Sequence, residues 1–134
     1  MLGEKIGEIS GKIIMQRVLP NLGGDPKMET SFQATGSVLD TNVSDTGTYW
    51  TVLRTDGTQY GEGQGVMIIR DGEMATWTGH GVSVRNKDRT ATYPRRALFP
   101  NPAPRWSRLN RVAVLFEYAV DAEGNTHSEY WEWK

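Results

Sequence analysis

Tyr60-Gly61-Glu62-Gly63-Gln64-Gly65-Val66-Met67-Ile68-Ile69, then Arg70-Asp71-Gly72-Glu73, then Met74-Ala75-Thr76-Trp77-Thr78-Gly79-His80-Gly81-Val82, is the stretch that decides the fold. Glycine recurs at every second position from Gly61 to Gly65 and again at Gly79 and Gly81. A period of two marks strands, because successive side chains point to opposite faces. Glycine weakens a strand interior, so a row of them marks a bend, a bulge or the close approach of another group. Asp71-Gly72 between the two runs reads as a hairpin turn. The stretch is therefore a hairpin in a sheet that curls tightly.

Working outward, turn signals recur at Asp56-Gly57 and at Asp121-Ala122-Glu123-Gly124-Asn125. Between them the residue patterns predict strands near 11–18, 28–39, 47–54, 58–69, 74–84, 89–99, 109–120 and 126–133. Residues 1–10 read as an N-terminal extension with a helical turn at most, and 20–27 and 100–107 as loops, the latter Pro-rich. The chain ends in a strong strand, His127-Ser128-Glu129-Tyr130-Trp131-Glu132-Trp133-Lys134. Pairing of that strand with Lys12-Ile13-Ile14-Met15-Gln16-Arg17-Val18 would close the sheet and remove its edges. The expected architecture is all-β, an eight-stranded antiparallel up-and-down barrel over residues 1–134 as one domain. A two-sheet sandwich is the alternative. Such a barrel is filled by side chains or holds one small ligand.

Composition narrows the function classes. The 134 residues contain no cysteine and only His80 and His127, so disulfides, thiolate catalysis and Cys-based or His-rich metal sites are not expected. The mean hydropathy is −0.53. No apolar run or signal-like start is present, so a soluble, cytoplasmic chain with no membrane contact is expected. The net charge of −1 is unevenly spread. Arg85 to Arg111 holds eight basic residues and one acid, whereas the rest holds seven basic and fifteen acidic residues. The acidic remainder opposes a phosphate backbone and argues against nucleic acid as a partner. The basic segment instead reads as a solvated connection, with Arg105, Trp106 and Arg108 as a loop that caps the lumen.

Parity sorts the hairpin into two faces: Tyr60, Glu62, Gln64, Val66 and Ile68 on one, Gly61, Gly63, Gly65, Met67 and Ile69 on the other. With a two-residue Asp71-Gly72 turn, Val66 lies opposite Trp77, Gln64 opposite Gly79, Glu62 opposite Gly81 and His80 opposite Gly63. A three-residue turn with a bulge shifts every pair by one. On the two-residue register the face with Tyr60, Val66, Ile68 and Trp77 is the better lumen. Glu62 and Gln64 then point inward as candidate catalytic acid/base and orienter. Tyr49, Trp50, Tyr60, Trp77, Phe116 and Tyr118 are the candidate ligand-lining residues. Val112, Val114, Phe116, Tyr118 and Val120 form the inward set of the next-to-last strand, with Glu117 outward, or a lumen carboxylate if the strand is turned the other way. Met67, Ile69, Met74 and Val82 would form an apolar stripe on the outer, glycine face, which points to a homo-oligomer. No cofactor motif is present: Gly61-Glu62-Gly63-Gln64-Gly65 is not followed by a helix.

The run Gly61–Val66, together with Ala75–Val82, Arg108-Leu109-Asn110 and the closing Glu129-Tyr130-Trp131-Glu132-Trp133-Lys134, resembles a family of small uncharacterised prokaryotic proteins related to calycin-like and allene-oxide-cyclase-like barrels. The resemblance covers most of residues 11–134. It implies an eight-stranded, oligomeric barrel with a lumen suited to a small apolar molecule, and it supplies no catalytic residues. The chain departs from that pattern at 85–105. There Arg85-Asn86-Lys87-Asp88-Arg89 and Pro94-Arg95-Arg96 replace an expected Gly/Ser/Tyr-rich strand. The function expected from these observations is a barrel that binds a small apolar or aromatic molecule. Two alternatives are a cofactor-independent isomerase or cyclase using a lumen carboxylate, and an oligomeric structural protein.

Overall fold

The computed structural model describes residues 2–21, 24–69, 72–85, 91–98, 106, 109 and 113–133; of 2, 84, 85 and 91–98 only the backbone is described. The fold is all-β and antiparallel throughout. Its strands are β1 (Leu2–Leu19), β2 (Lys27–Val38), β3 (Thr41–Leu53), β4 (Thr58–Ile69), β5 (Met74–Arg85), β6 (Ala91–Leu98), β7 (Val114–Val120) and β8 (Asn125–Trp133). Each pairs with the next in sequence, and β1 also pairs with β8, so the sheet curls around one core. No helix among the described residues is long and apolar enough to cross a membrane.

Three local features depart from the sequence reading. Residues 2–10 are not an extension but the first half of β1, and they supply most of its pairs with β8, from Leu2↔Trp133 to Lys12↔Asn125. The register shifts between Leu2 and Lys5 and again between Lys5 and Gly7. A bulge adds a residue and reverses the alternation. That is how Ile6 and Ile9, three apart, are both buried, at 6% and 2% exposure. Second, β3 begins at Thr41 rather than near 47. Leu39 and Asp40, with φ of 49° and 59°, form the two-residue turn that joins it to β2. Third, the β4–β5 turn spans three residues. Ile69 N–H donates to the Glu73 carbonyl at 2.7 Å, and Gly72 has φ 81°. Only glycine adopts that conformation readily, and a left-handed third residue belongs to a three-residue hairpin loop.

The longer turn shifts the β4–β5 register by one from the two-residue expectation. Gly65 lies opposite Trp77, Val66 opposite Thr76, Gln64 opposite Thr78, and Glu62 opposite His80. The consequence is an inversion of faces. Gly61, Gly63, Gly65, Met67 and Ile69 point inward, and Glu62, Gln64, Val66 and Ile68 point outward. The expected outer stripe divides in the same way: Met67 and Ile69 are core, at 0% and 1% exposure, while Met74 and Val82 are exposed.

The inner row Phe32↔Gly47↔Gly65↔Trp77 explains the glycines. A Cβ on Gly65 would overlap the Trp77 indole, and one on Gly47 would lie 2.7 Å from Trp77 Cζ2 and 2.8 Å from Phe32 Cζ. The glycines are a floor on which the indole lies across β4 and β3. In β7 the expected alternation is found: Val114, Phe116 and Tyr118 are buried and Glu117 is exposed, while Val112 lies outside the described residues. Pro94 sits within β6 opposite Glu117 of β7. Toward β5 the pairs pass from Gly81↔Arg95 to Val84↔Thr92, skipping the proline, which has no N–H to give.

Candidate functional site

The curled sheet brings inward-facing residues of five strands around one small chamber. Phe32 comes from β2, Tyr49 from β3, Trp77 from β5, Phe116 and Tyr118 from β7, and Ser128 and Tyr130 from β8. The rings interlock. Phe32 lies 6.2 Å from Tyr49 and 6.2 Å from Trp77 between centroids, Tyr49 meets Tyr118 edge-on at 5.5 Å, and Phe116 stacks on Tyr130 at 5.8 Å. The Tyr49 and Tyr118 hydroxyls are hydrogen-bonded at 3.1 Å. The space left between these side chains is about 20 Å³. A single water needs about 10–15 Å³, so the chamber holds about one.

Asp45 of β3 is the polar centre beside this chamber. It is 1% exposed. Its Oδ1 accepts the Trp77 indole N–H at 2.8 Å, and its buried Oδ2 has no hydrogen-bond partner among the described residues. Burial raises its pKa to about 7, against the smaller opposing effect of the Trp77 bond. Burial likewise pushes the Tyr130 phenol up, with the nearby Asp45 charge adding to it and the Ser128 hydrogen bond opposing it. Buried polar atoms are normally satisfied. Among the described residues, Ser83 Oγ shares the condition of Asp45 Oδ2.

The sequence-derived candidates fall into two groups. Tyr49, Trp77, Phe116 and Tyr118 are brought together at the chamber. Trp50, Tyr60, Glu62 and Gln64 are not. They belong to the outside of the sheet, where Trp50 and Tyr60 pack at 5.6 Å and the Tyr60 hydroxyl donates to Glu62 Oε1 at 2.5 Å. Lys27 Nζ lies 4.5 Å from the Trp50 ring and Arg54 5.1 Å from the Tyr60 ring. The inward acid/base expected of Glu62 is therefore corrected: its side chain is exposed, because the volume inside β4 belongs to Trp77. Trp106 of the expected cap is fully buried in the core, as is Leu109. Arg105 and Arg108 lie outside the described residues. The sequence reading missed Phe32, Asp45, Ser128 and Tyr130. A signal for Asp45 was present in Val43-Ser44-Asp45-Thr46-Gly47, whose alternation places Asp45 on the face of Val43.

A second, open groove of about 910 Å³ runs over the outer surface of β1 to β4. Its hydroxyl-rich lining includes Ser10, Thr35, Ser37 and Ser44, with Glu8 on one side. Beside it His127 Nδ1 meets Ser10 Oγ at 2.8 Å, and its Nε2 lies 3.0 Å from Glu8 and 3.4 Å from Glu129. The Lys5 ammonium already bridges both carboxylates, at 3.1 and 3.2 Å. These groups are solvated and carry their own countercharge. The groove is larger but encloses nothing, whereas the inner chamber is walled by aromatic rings, one of which, Trp77, is hydrogen-bonded to the buried Asp45.

No protein-family model and no curated protein matches the chain. Among the solved structures that resemble it, two do so over nearly their whole length. A protein of unknown function from Clostridium acetobutylicum has a TM-score of 0.83 and 10% identity, covering 98% of this chain and 98% of that one. A conserved protein of unknown function from Rhodopseudomonas palustris has a TM-score of 0.83 and 11% identity, covering 98% and 97%. At such identity the likeness speaks for the fold: an antiparallel β half-barrel shared by proteins of unknown function.

Proposed function

We propose that the sheet is a closed eight-stranded barrel of the calycin-like kind, forming one domain, and that its interior binds one small, flat, largely apolar molecule. The observation that carries this reading is the aromatic chamber beside a buried carboxylate with one free oxygen. A ligand with a single hydrogen-bond donor satisfies Asp45 Oδ2 while its rings replace water and stack among Phe32, Phe116 and Tyr118. The pairing of β1 with both β2 and β8 supports closure. At about 20 Å³ the chamber admits such a molecule only when a wall residue rotates. Phe116 and Tyr118, on the short β7, are the candidates. The isomerase reading that relied on an inward Glu62 loses its geometric basis and is set aside.

The test is titration with small flat aromatics, indole and phenol among them, followed by tryptophan emission and by thermal melting. Saturable binding should change Trp77 emission and stabilise the fold by about 2.7 kcal/mol at a hundredfold excess over Kd. Phe116→Trp, which fills the chamber, should abolish binding while the fold is retained. A library in which no member alters either emission or melting contradicts the proposal.

A further inference from the structure

β1 is eighteen residues long and outlasts its neighbour β8. Its pairs with β8 end at Lys12↔Asn125, followed by one bond from Ile13 N–H to the Gly124 carbonyl at 2.8 Å. From Met15 to Leu19 it pairs with β2 alone. Among the described residues no strand pairs with its other side there. A register shift between Ile13 and Met15 sets this segment off from the barrel wall.

The segment is apolar without contributing to the core. Ile14, Met15 and Val18 are 53%, 59% and 78% exposed. Proteins usually protect such an edge with lysine, proline or a strand too short to pair. None of these occurs from Ile14 to Leu19. The one charge, Arg17, is neutralised on its own sheet by Glu29, with Nε–Oε1 at 3.2 Å and Nη2–Oε2 at 3.3 Å.

We infer that this free edge of β1 pairs antiparallel with the same edge of a second copy of the chain, joining two sheets into one across a two-fold axis at Gln16. The edge is self-complementary in that register. Ile14 of each copy lies opposite Val18 of the other, and Met15 opposite Arg17, so apolar residues meet and no unpaired like charges do. The contact is isologous and closes at two copies, which prevents the edge from propagating into fibres.

The test uses the full chain, which has no cysteine of its own. Gln16→Cys should form an intermolecular disulfide under mild oxidation, because equivalent residues at the axis of an antiparallel pair have Cα atoms about 4.5–5.5 Å apart, within disulfide reach. Thr76→Cys, exposed on β5, should not. Sedimentation should give a dimer, and Val18→Lys should weaken it at least about tenfold while the monomer keeps its folded circular dichroism spectrum. A wild-type monomer at every concentration overturns the inference. So does a dimer that Val18→Lys leaves intact and that Gln16→Cys fails to cross-link.

Discussion

Trp77 is the residue around which the interior is arranged. Its indole needs a flat surface and an acceptor, and the chain supplies both: Gly47 and Gly65 beneath it, and Asp45 Oδ1 at 2.8 Å from its N–H. Gly65→Ala should therefore destabilise the protein by about 1–3 kcal/mol, as overpacked cores do. Glu62→Ala, on the opposite face of the same strand, should change stability by no more than about 0.5 kcal/mol. Chemical denaturation distinguishes the two, and equal effects would contradict the assignment of faces. The parity of β4 was fully legible in its sequence, down to which residues share a side. Which side faces in was not. That choice depended on Gly72 taking the third place of a three-residue loop rather than the second of a two-residue one. A single residue of turn length moved Trp77 from the face of Val66 to the face of Gly65.

The strands themselves were largely legible, because alternation and turn residues are local signals. β4 and β5 lie within a residue of where the sequence puts them, and β2, β6 and β8 within two. The misses have physical causes. In β1, the bulges near Lys5 place inward residues at Ile6, Ile9 and Ile13, and spacings of three and four imitate a helical turn rather than a strand. The β2–β3 turn uses Leu39 in a left-handed conformation, which no turn preference anticipates. Asp45 was missed because an alternating acid reads as an outward residue until its neighbours across the sheet are known. The bulged half of β1 can be tested directly. Ile6→Ala and Ile9→Ala should each cost about 2–4 kcal/mol, whereas Ile14→Ala, inside the register shift between Ile13 and Met15 and 53% exposed, should cost less than about 0.5 kcal/mol. A negligible effect at Ile6 would mean that residues 2–10 are an extension after all.

At the scale of the whole molecule, a buried acid leaves its mark on the pH dependence of stability. Asp45 has its pKa raised from 3.8 to about 7, so between those values the folded chain binds more protons than the unfolded one. Stability should be fully present below about pH 4 with respect to this group, and should fall as pH rises toward 7, by about 4 kcal/mol at most. Asp56, Asp121 and Glu129, none of them buried, act in the opposite sense. Hydrogen bonds from Thr58, Asn125 and Lys5 respectively lower their pKa values, so their smaller contributions fade as pH drops below the ordinary carboxyl range. Stability should therefore peak near pH 4–5, and Asp45→Asn should flatten the fall above it. The buried Asp45–Trp77 pair is the claim on which the binding site depends. The indole N–H resonance of Trp77, assigned by Trp77→Phe, tests it most directly. The account predicts a proton protected from solvent exchange, with a chemical shift that titrates near pH 7 and ceases to titrate in Asp45→Asn. An indole proton that exchanges rapidly and shows no titration would contradict it.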